Sequence, residues 1–164
     1  LLGDIPIAQY LKKVAYVPYS TLGEYVELYG YGNPTETVIC GKTIKVLPLA
    51  QAVCTQLGEK DFVVFRKGKK AYMLDAIETE VKSITTQAVQ TMVVDIRDAE
   101  KIRGKKVLLM DDVVSTGGTF KAMEVLLEKI GDIEIAGYAA VLREGTDFPN
   151  DKLYYLNELP IFVG

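Results

Sequence analysis

The chain has 164 residues and a formal net charge of −3, with 49% hydrophobic and 25% charged residues. These values are typical of one globular domain with a hydrophobic core, and they exclude the basic surface expected of a nucleic-acid-binding protein. The chain contains no histidine and only two cysteines, Cys40 and Cys54, so a zinc site or a histidine base is not expected. No apolar run reaches membrane-spanning length, and we expect a cytoplasmic location.

The N-terminal third is rich in tyrosine and in turn-forming residues, and it contains two short predicted strands, Lys13–Pro18 and Thr43–Leu47. Apolar residues then recur at helical spacing from Leu49 to Leu57, between a proline and a glycine, which predicts a helix. The apolar segment Phe62–Phe65 predicts a short strand, and the basic run FRKGKK continues directly from its end.

The middle of the chain has the pattern of a hairpin. Ile77–Ile84 alternates apolar and polar residues, Thr91–Ile96 does so in part, and the segment between them is polar. Further along, Val107–Met110 predicts a buried strand. A helix from Phe120 to a stop at Gly131 follows, and then come two more strands, Ile133–Leu142 and Leu153–Leu156. This alternation predicts an α/β fold with a mostly parallel central sheet flanked by helices, in which ligands bind at the carboxyl ends of the strands.

The stretch VLLMDDVVSTGGTF, residues 107–120, places the adjacent acids Asp111 and Asp112 after an apolar strand. Adjacent carboxylates repel each other, which disfavours a core role, and they can accept hydrogen bonds from the vicinal hydroxyls of a ribose. The small residues that follow can offer backbone N–H groups, hydroxyls and a helix N-terminus to a phosphate: Ser115, Thr116, Gly117, Gly118 and Thr119. The combination favours a ribose 5-phosphate site over the alternative of solvated acids before an ordinary turn with a helix cap.

The same stretch resembles the phosphoribosyl pyrophosphate (PRPP) binding motif of the type I phosphoribosyltransferases, which has four apolar residues, two acids, two apolar residues and a Thr/Gly-rich loop. From about Pro48 onward, FRKGKKAYM, the hairpin and KIRGKKVLLMDDVVSTGGTFKAMEVL resemble the purine-directed, adenine phosphoribosyltransferase-like branch. The resemblance implies a single domain over residues 1–164. It consists of a small N-terminal hood, roughly 1–42, and a PRPP-binding core with a mobile hairpin, roughly 43–164.

The resemblance also implies an activity: transfer of the 5-phosphoribosyl group from PRPP to a nucleobase, foremost a purine, with release of pyrophosphate in nucleotide salvage. Mg²⁺ is expected as the cofactor, carried on PRPP, and a homodimer is expected as the assembly. Asp111 and Asp112 match the acids that bind the ribose hydroxyls directly or through the metal, and Ser115 to Thr119 match the 5-phosphate loop. The basic residues matching the pyrophosphate side are Arg66, Lys67 and Lys70, and those near the tip of the mobile hairpin are Ser83, Thr85 and Thr86.

One departure from the family pattern precedes the first helix. The family usually has a strand and then an acidic or glycine-containing pyrophosphate loop, whereas TIKVL here runs directly into PLAQAVC. The sequence therefore predicts either a trimmed loop or a missing segment. It also leaves open the accepted base, the general base and two alternatives: a PRPP-sensing regulator without turnover, and a phosphoribosyltransferase for xanthine or orotate.

Overall fold

The computed structural model describes residues 37–42, 46–57, 62–82 and 89–161. The described residues form strands and helices that alternate along most of the chain. In chain order these are β1 (Thr37–Lys42), α1 (Leu47–Leu57), β2 (Phe62–Phe65), β3 (Ala76–Lys82), β4 (Val89–Asp95), α2 (Ile96–Ile102), β5 (Lys106–Val114), α3 (Gly118–Ile130), β6 (Glu134–Glu144) and β7 (Leu153–Leu159).

Five of the strands form one sheet in the order β2-β1-β5-β6-β7, and every neighbouring pair is parallel. Strand β5 lies in the middle, with Ile39 of β1 opposite Leu108 and Ala139 of β6 opposite Met110. Because the strands run in one direction, their carboxyl ends meet at one edge of the sheet. The predicted α/β fold with a parallel sheet is confirmed.

The sheet is covered on both faces, as a parallel sheet requires. Successive residues of β5 point to opposite faces, so Leu109 joins the cluster under α3, whereas Leu108 and Met110 join the cluster under α1. Helix α3 contributes Phe120, Met123 and Leu126 to its cluster, and α1 contributes Leu49 and Val53 to the other. Among the described helices, none is long and apolar enough to cross a membrane.

The hairpin is confirmed, with β3 antiparallel to β4 and Thr79 opposite Met92. Its predicted polar tip falls within residues 83–88, outside the described residues. Immediately after β4 the structure adds α2, a helix that the sequence pattern did not predict. Asp95 forms its N-cap, and the carboxylate accepts a hydrogen bond from the Arg97 backbone N–H at 3.0 Å.

Two strand assignments from the sequence were wrong in position. The strand predicted to end at Met110 continues through both acids to Val114, because β6 continues to pair with it as far as Arg143. The strand predicted over Thr43–Leu47 is displaced, because Leu47 opens α1 and the strand before that helix is β1. Residues 43–45, which separate β1 from the start of α1, lie outside the described residues, so the choice between a trimmed loop and a missing segment stays a prediction.

The N-terminal end of the predicted core also moves. Residues 37–42 were assigned to the hood, but they form β1, which lies inside the sheet between β2 and β5. The rest of the predicted hood, including the strand expected at Lys13–Pro18, lies outside the described residues.

Candidate functional site

The glycine-rich segment predicted to bind phosphate forms the turn from β5 into α3. Gly117 precedes the helix in the left-handed region, with φ 73° and ψ 12°, and no side chain caps the helix N-terminus. The first N–H groups of a helix have no partner within it, and the helix dipole makes this end positive. A cavity of about 130 Å³ opens here, and it is lined by residues of the strand end and the turn: Asp111, Val113 to Thr119, and Phe120. This geometry suits an anion.

Asp111 ties the strand end to the helix. Its side chain is buried, with 6% of its surface exposed. One carboxylate oxygen accepts the backbone N–H of Asp112 at 3.1 Å, and the hydroxyl of Thr119 also donates to this carboxylate. Because a hydroxyl has one proton to donate, the proton of the Thr119 hydroxyl is engaged with Asp111.

The acid pair is electrostatically strained. Burial, followed by the neighbouring Asp112 carboxyl, raises the pKa of Asp111 to about 7. The half-buried Asp112 carboxyl lies within hydrogen-bonding reach of Asp111, so the two groups disfavour a second negative charge when no cation is near. Hydroxyl donors or a cation placed against this pair would favour its fully ionised form.

The basic residues lie at the same edge of the sheet but outside the phosphate-loop cavity. Arg66 follows β2 and exchanges two backbone hydrogen bonds with Val93 of β4, at 2.8 and 2.7 Å, and its guanidinium lies 5.8 Å from the Tyr72 ring centroid. Lys67 and Lys70 are exposed. Strand β1 separates β2 from β5, so two strand spacings, roughly 10 Å, lie between the start of this basic run and the acids in the plane of the sheet. Arg66 lines a different cavity, of about 540 Å³.

Comparison with known proteins identifies the family. Residues 25–159 match the family model described as phosphoribosyl transferase domain. The chain belongs to the phosphoribosyltransferase family. Adenine phosphoribosyltransferase of Neisseria meningitidis serogroup A is 31% identical over 136 residues, covering 83% of this chain and 68% of the relative. The Kosmotoga olearia enzyme of the same name is 38% identical over 97 residues, covering 58% of this chain and 52% of the relative.

Solved structures show the same architecture. Adenine phosphoribosyltransferase from Thermoanaerobacter pseudethanolicus matches with a TM-score of 0.70 at 18% identity, covering 94% of this chain and 85% of that structure. The Giardia lamblia enzyme complexed with 9-deazaadenine matches with a TM-score of 0.67 at 21% identity, covering 92% and 86%. At these identities the likeness concerns the fold, and it confirms the type I phosphoribosyltransferase fold predicted from the sequence.

Several residues considered for the phosphoribosyltransferase site receive no role from the structure. Ser83, Thr85 and Thr86 lie outside the described residues. Glu78 and Glu80, considered as acceptors of a base proton, are exposed on β3. The Glu78 carbonyl accepts from the Lys129 ammonium at 2.8 Å, which attaches the hairpin to α3. No general base is assigned to either residue.

The second cavity of this phosphoribosyltransferase contains a structural ion pair. Asp95 accepts two hydrogen bonds from the Arg97 guanidinium, at 2.9 and 2.8 Å. Those bonds, together with the bond from the Arg97 backbone N–H, lower the pKa of Asp95 to about 2. The two groups are paired with each other at the start of α2, so this ion pair stabilises the N-terminal end of the helix.

Two residues near the carboxyl end of the sheet were missed by sequence reasoning. Arg143 of β6 pairs with Val114, and its guanidinium lies 5.3 Å from the Tyr155 ring and donates to the Tyr155 hydroxyl at 3.3 Å. The Nε atom of Arg143 is buried, and no hydrogen-bond partner for it occurs in the described part of the chain. Phe148 lies against Gly117 of the turn from β5 into α3. A charged residue ending a predicted strand could have drawn attention to Arg143, whereas no local pattern signals the Phe148 contact.

Proposed function

We propose that this phosphoribosyltransferase transfers the 5-phosphoribosyl group of PRPP to a purine base, with adenine as the first candidate, and releases pyrophosphate in nucleotide salvage. The observation that carries the proposal is the cavity that joins the acid Asp111 to the loop Ser115–Thr119. One end of this cavity suits a sugar hydroxyl and the other suits a phosphate. The adenine phosphoribosyltransferases among the relatives support the choice of base.

The 5-phosphate would bind at the turn into α3. Backbone N–H groups of Gly117, Gly118 and Thr119 sit at the positive end of a thirteen-residue helix, and the hydroxyls of Ser115 and Thr116 supply further donors. None of these donors carries a full charge. The affinity for phosphate therefore depends on the geometry of these donors. This explains why the turn contains a glycine, which tolerates the left-handed backbone conformation found there.

The ribose would bind at the acid pair. Its two hydroxyls can donate to Asp111 and Asp112, and both carboxylates then stabilise the positive charge that develops on the ribose as the bond to pyrophosphate breaks. The same pair suits Mg²⁺, because this ion is usually bound by one or two carboxylates together with substrate phosphates. No larger cluster of metal-ligating side chains occurs among the described residues. When bound, the ion neutralises charge on the pyrophosphate.

We assign the pyrophosphate side to Arg66, Lys67 and Lys70. Their position after β2, at the edge of the sheet that also carries the acids, supports this assignment. Cations there would stabilise the charge that the leaving group gains. The tip of the hairpin, with Ser83, Thr85 and Thr86, is proposed to close over PRPP and to exclude water from the activated sugar.

A base screen tests the proposal. Purified protein is incubated with Mg-PRPP and adenine, hypoxanthine, guanine, xanthine, uracil or orotate, and pyrophosphate release is measured. Pyrophosphate release with adenine supports the proposal, whereas release with xanthine or orotate alone indicates a different base as the substrate. Binding of PRPP with no pyrophosphate release in the presence of any base supports the PRPP-sensing regulator instead. The double variant Asp111→Asn/Asp112→Asn should abolish both binding and release, whereas the exposed Asp147→Asn should change neither.

We also propose a cytoplasmic location, a homodimer, and an N-terminal hood that covers the base. The family resemblance supports these three assignments. Cell fractionation tests the location, and sedimentation equilibrium tests the dimer. Limited proteolysis with and without a purine tests the hood, because a segment that closes over the base should be cleaved more slowly when the base is bound.

A further inference from the structure

Residues 145–152 connect β6 to β7, and Phe148 is the one buried side chain among these eight residues. The connection is held at its end by three hydrogen bonds. The Leu153 N–H donates to the Asn150 carbonyl at 3.1 Å, the Lys152 N–H donates to the Asn150 side chain at 2.9 Å, and the Tyr138 N–H donates to the Lys152 carbonyl at 3.0 Å. These bonds tie the C-terminal end of the connection that carries Phe148 to β6 and to the start of β7.

The ring of Phe148 packs into an aromatic cluster with Phe120 and Tyr138. Its centroid lies 5.5 Å from each of the other two rings, which lie 5.2 Å from each other. Phe120 belongs to the first turn of α3, and the Tyr138 hydroxyl donates to Glu124, one turn further along that helix, at 2.7 Å. The cluster thus fixes the N-terminal end of α3 to β6 and to the connection.

The same ring supports the phosphate loop. A Cβ atom built on Gly117 would overlap the ring, reaching Cε2 and Cγ of Phe148 at 2.7 Å. Gly117 also has a positive φ of 73°, which L side chains rarely adopt. Gly117 lines the cavity as well, so the ring limits how far the loop can move away from a ligand.

We propose that Phe148 is a positioning residue for the 5-phosphate: by packing against Gly117, it holds the loop N–H groups in the geometry that binds this phosphate. The inference rests on the proposed function and adds a residue to it. A role in stacking on the base would need exposed ring surface, and only 7% of Phe148 is exposed. The effect of changing Phe148 should therefore appear on the sugar phosphate and not on the base.

The test compares Phe148→Leu with Ile130→Val, a substitution of another buried apolar residue at the opposite, C-terminal end of α3. Binding of ribose 5-phosphate and of free pyrophosphate is measured by calorimetry, and KM is measured for PRPP and for the base. For Phe148→Leu we expect ribose 5-phosphate binding to weaken and KM for PRPP to rise by roughly tenfold, because a small misplacement of binding groups is costly. Pyrophosphate binding and KM for the base should not change, and Ile130→Val should change none of the four values.

A double-mutant cycle addresses the contact itself. Gly117→Ala should weaken ribose 5-phosphate binding strongly in the wild-type background and less so beside Phe148→Leu, where a smaller aliphatic side chain replaces the ring. Equal losses in both backgrounds would overturn the proposal. So would an unchanged affinity of Phe148→Leu for ribose 5-phosphate, or a parallel loss of every ligand. If the wild-type protein binds neither PRPP nor ribose 5-phosphate, the proposed function fails first, and that result is distinct from a defect confined to the variant.

Discussion

Replacing Asp111 by asparagine should stabilise the fold above neutral pH while it abolishes PRPP binding. Burial and the neighbouring Asp112 raise the pKa of Asp111 from 3.8 to about 7. Between these two values the folded protein holds a proton that the unfolded chain releases, so the unfolding free energy of the wild type falls as pH rises. This decrease in unfolding free energy is complete above about pH 7, where the buried carboxyl is ionised next to a second acid.

The magnitude follows from the two pKa values. They differ by about three pH units, which corresponds to a cost of up to about 4 kcal/mol. Asparagine has nearly the same shape and no charge, and its amide oxygen can still accept the N–H of Asp112. The unfolding free energies of the variant and the wild type should therefore be equal near pH 4. Near pH 8 that of the variant should be higher by as much as about 4 kcal/mol.

Urea unfolding at about pH 4.5, 6 and 8 measures this difference, and calorimetry with Mg-PRPP measures the loss of binding. Asp147→Asn, which removes an exposed carboxylate, is the matched control and should change stability by less than about 0.5 kcal/mol at each pH. A stability difference that does not vary with pH, or a variant less stable than the wild type near pH 8, would refute the reasoning about Asp111.

The same structure supports three further predictions. Binding of Mg-PRPP near pH 7 should release a proton from the acid pair, seen as a dependence of the binding enthalpy on buffer ionisation that the exposed control Asp147→Asn retains. Asp95→Asn should lower the unfolding free energy at neutral pH, because the pKa of Asp95 is lowered. This difference should shrink as pH falls from about 4 towards 2, where the wild-type carboxyl takes up its proton, and acid unfolding followed by circular dichroism measures it. Lys67→Gln and Lys70→Gln should raise KM for PRPP at low ionic strength and have less effect at high salt, as expected for exposed cations.

The parts of the site that are local in sequence could be predicted from it. The acids and the phosphate loop occupy adjacent positions, and the strand before them and the helix after them have distinct periodicities. The order of elements then predicts the parallel sheet, and the carboxyl edge predicts where the ligand binds. The candidate site residues from Asp111 to Thr119 could be found because they all lie in one short continuous stretch of the sequence.

Contacts between distant segments could not be predicted in this way. Phe148 meets Gly117 only because β6 and β7 place their connection beside the start of α3. Strand β1 was missed for a related reason: its sequence TVICGK has no regular alternation to distinguish a strand from the neighbouring turns, and its place in the sheet comes from pairing with the distant strands β2 and β5. Helix α2 did have a local signal, the N-cap Asp95, but the strand pattern ending beside it obscured the start of a seven-residue helix.

The order of strands in the sheet has a consequence for folding. Strand β1 pairs with β5, although α1, β2, the hairpin and α2 all lie between them in the chain. Joining such distant strands requires closure of a long loop, which slows folding, whereas β5, α3 and β6 follow one another and can assemble early. The sugar-phosphate half of the site would then form before the sheet is complete. Ribose 5-phosphate should accelerate refolding by binding that early unit, and free pyrophosphate should not.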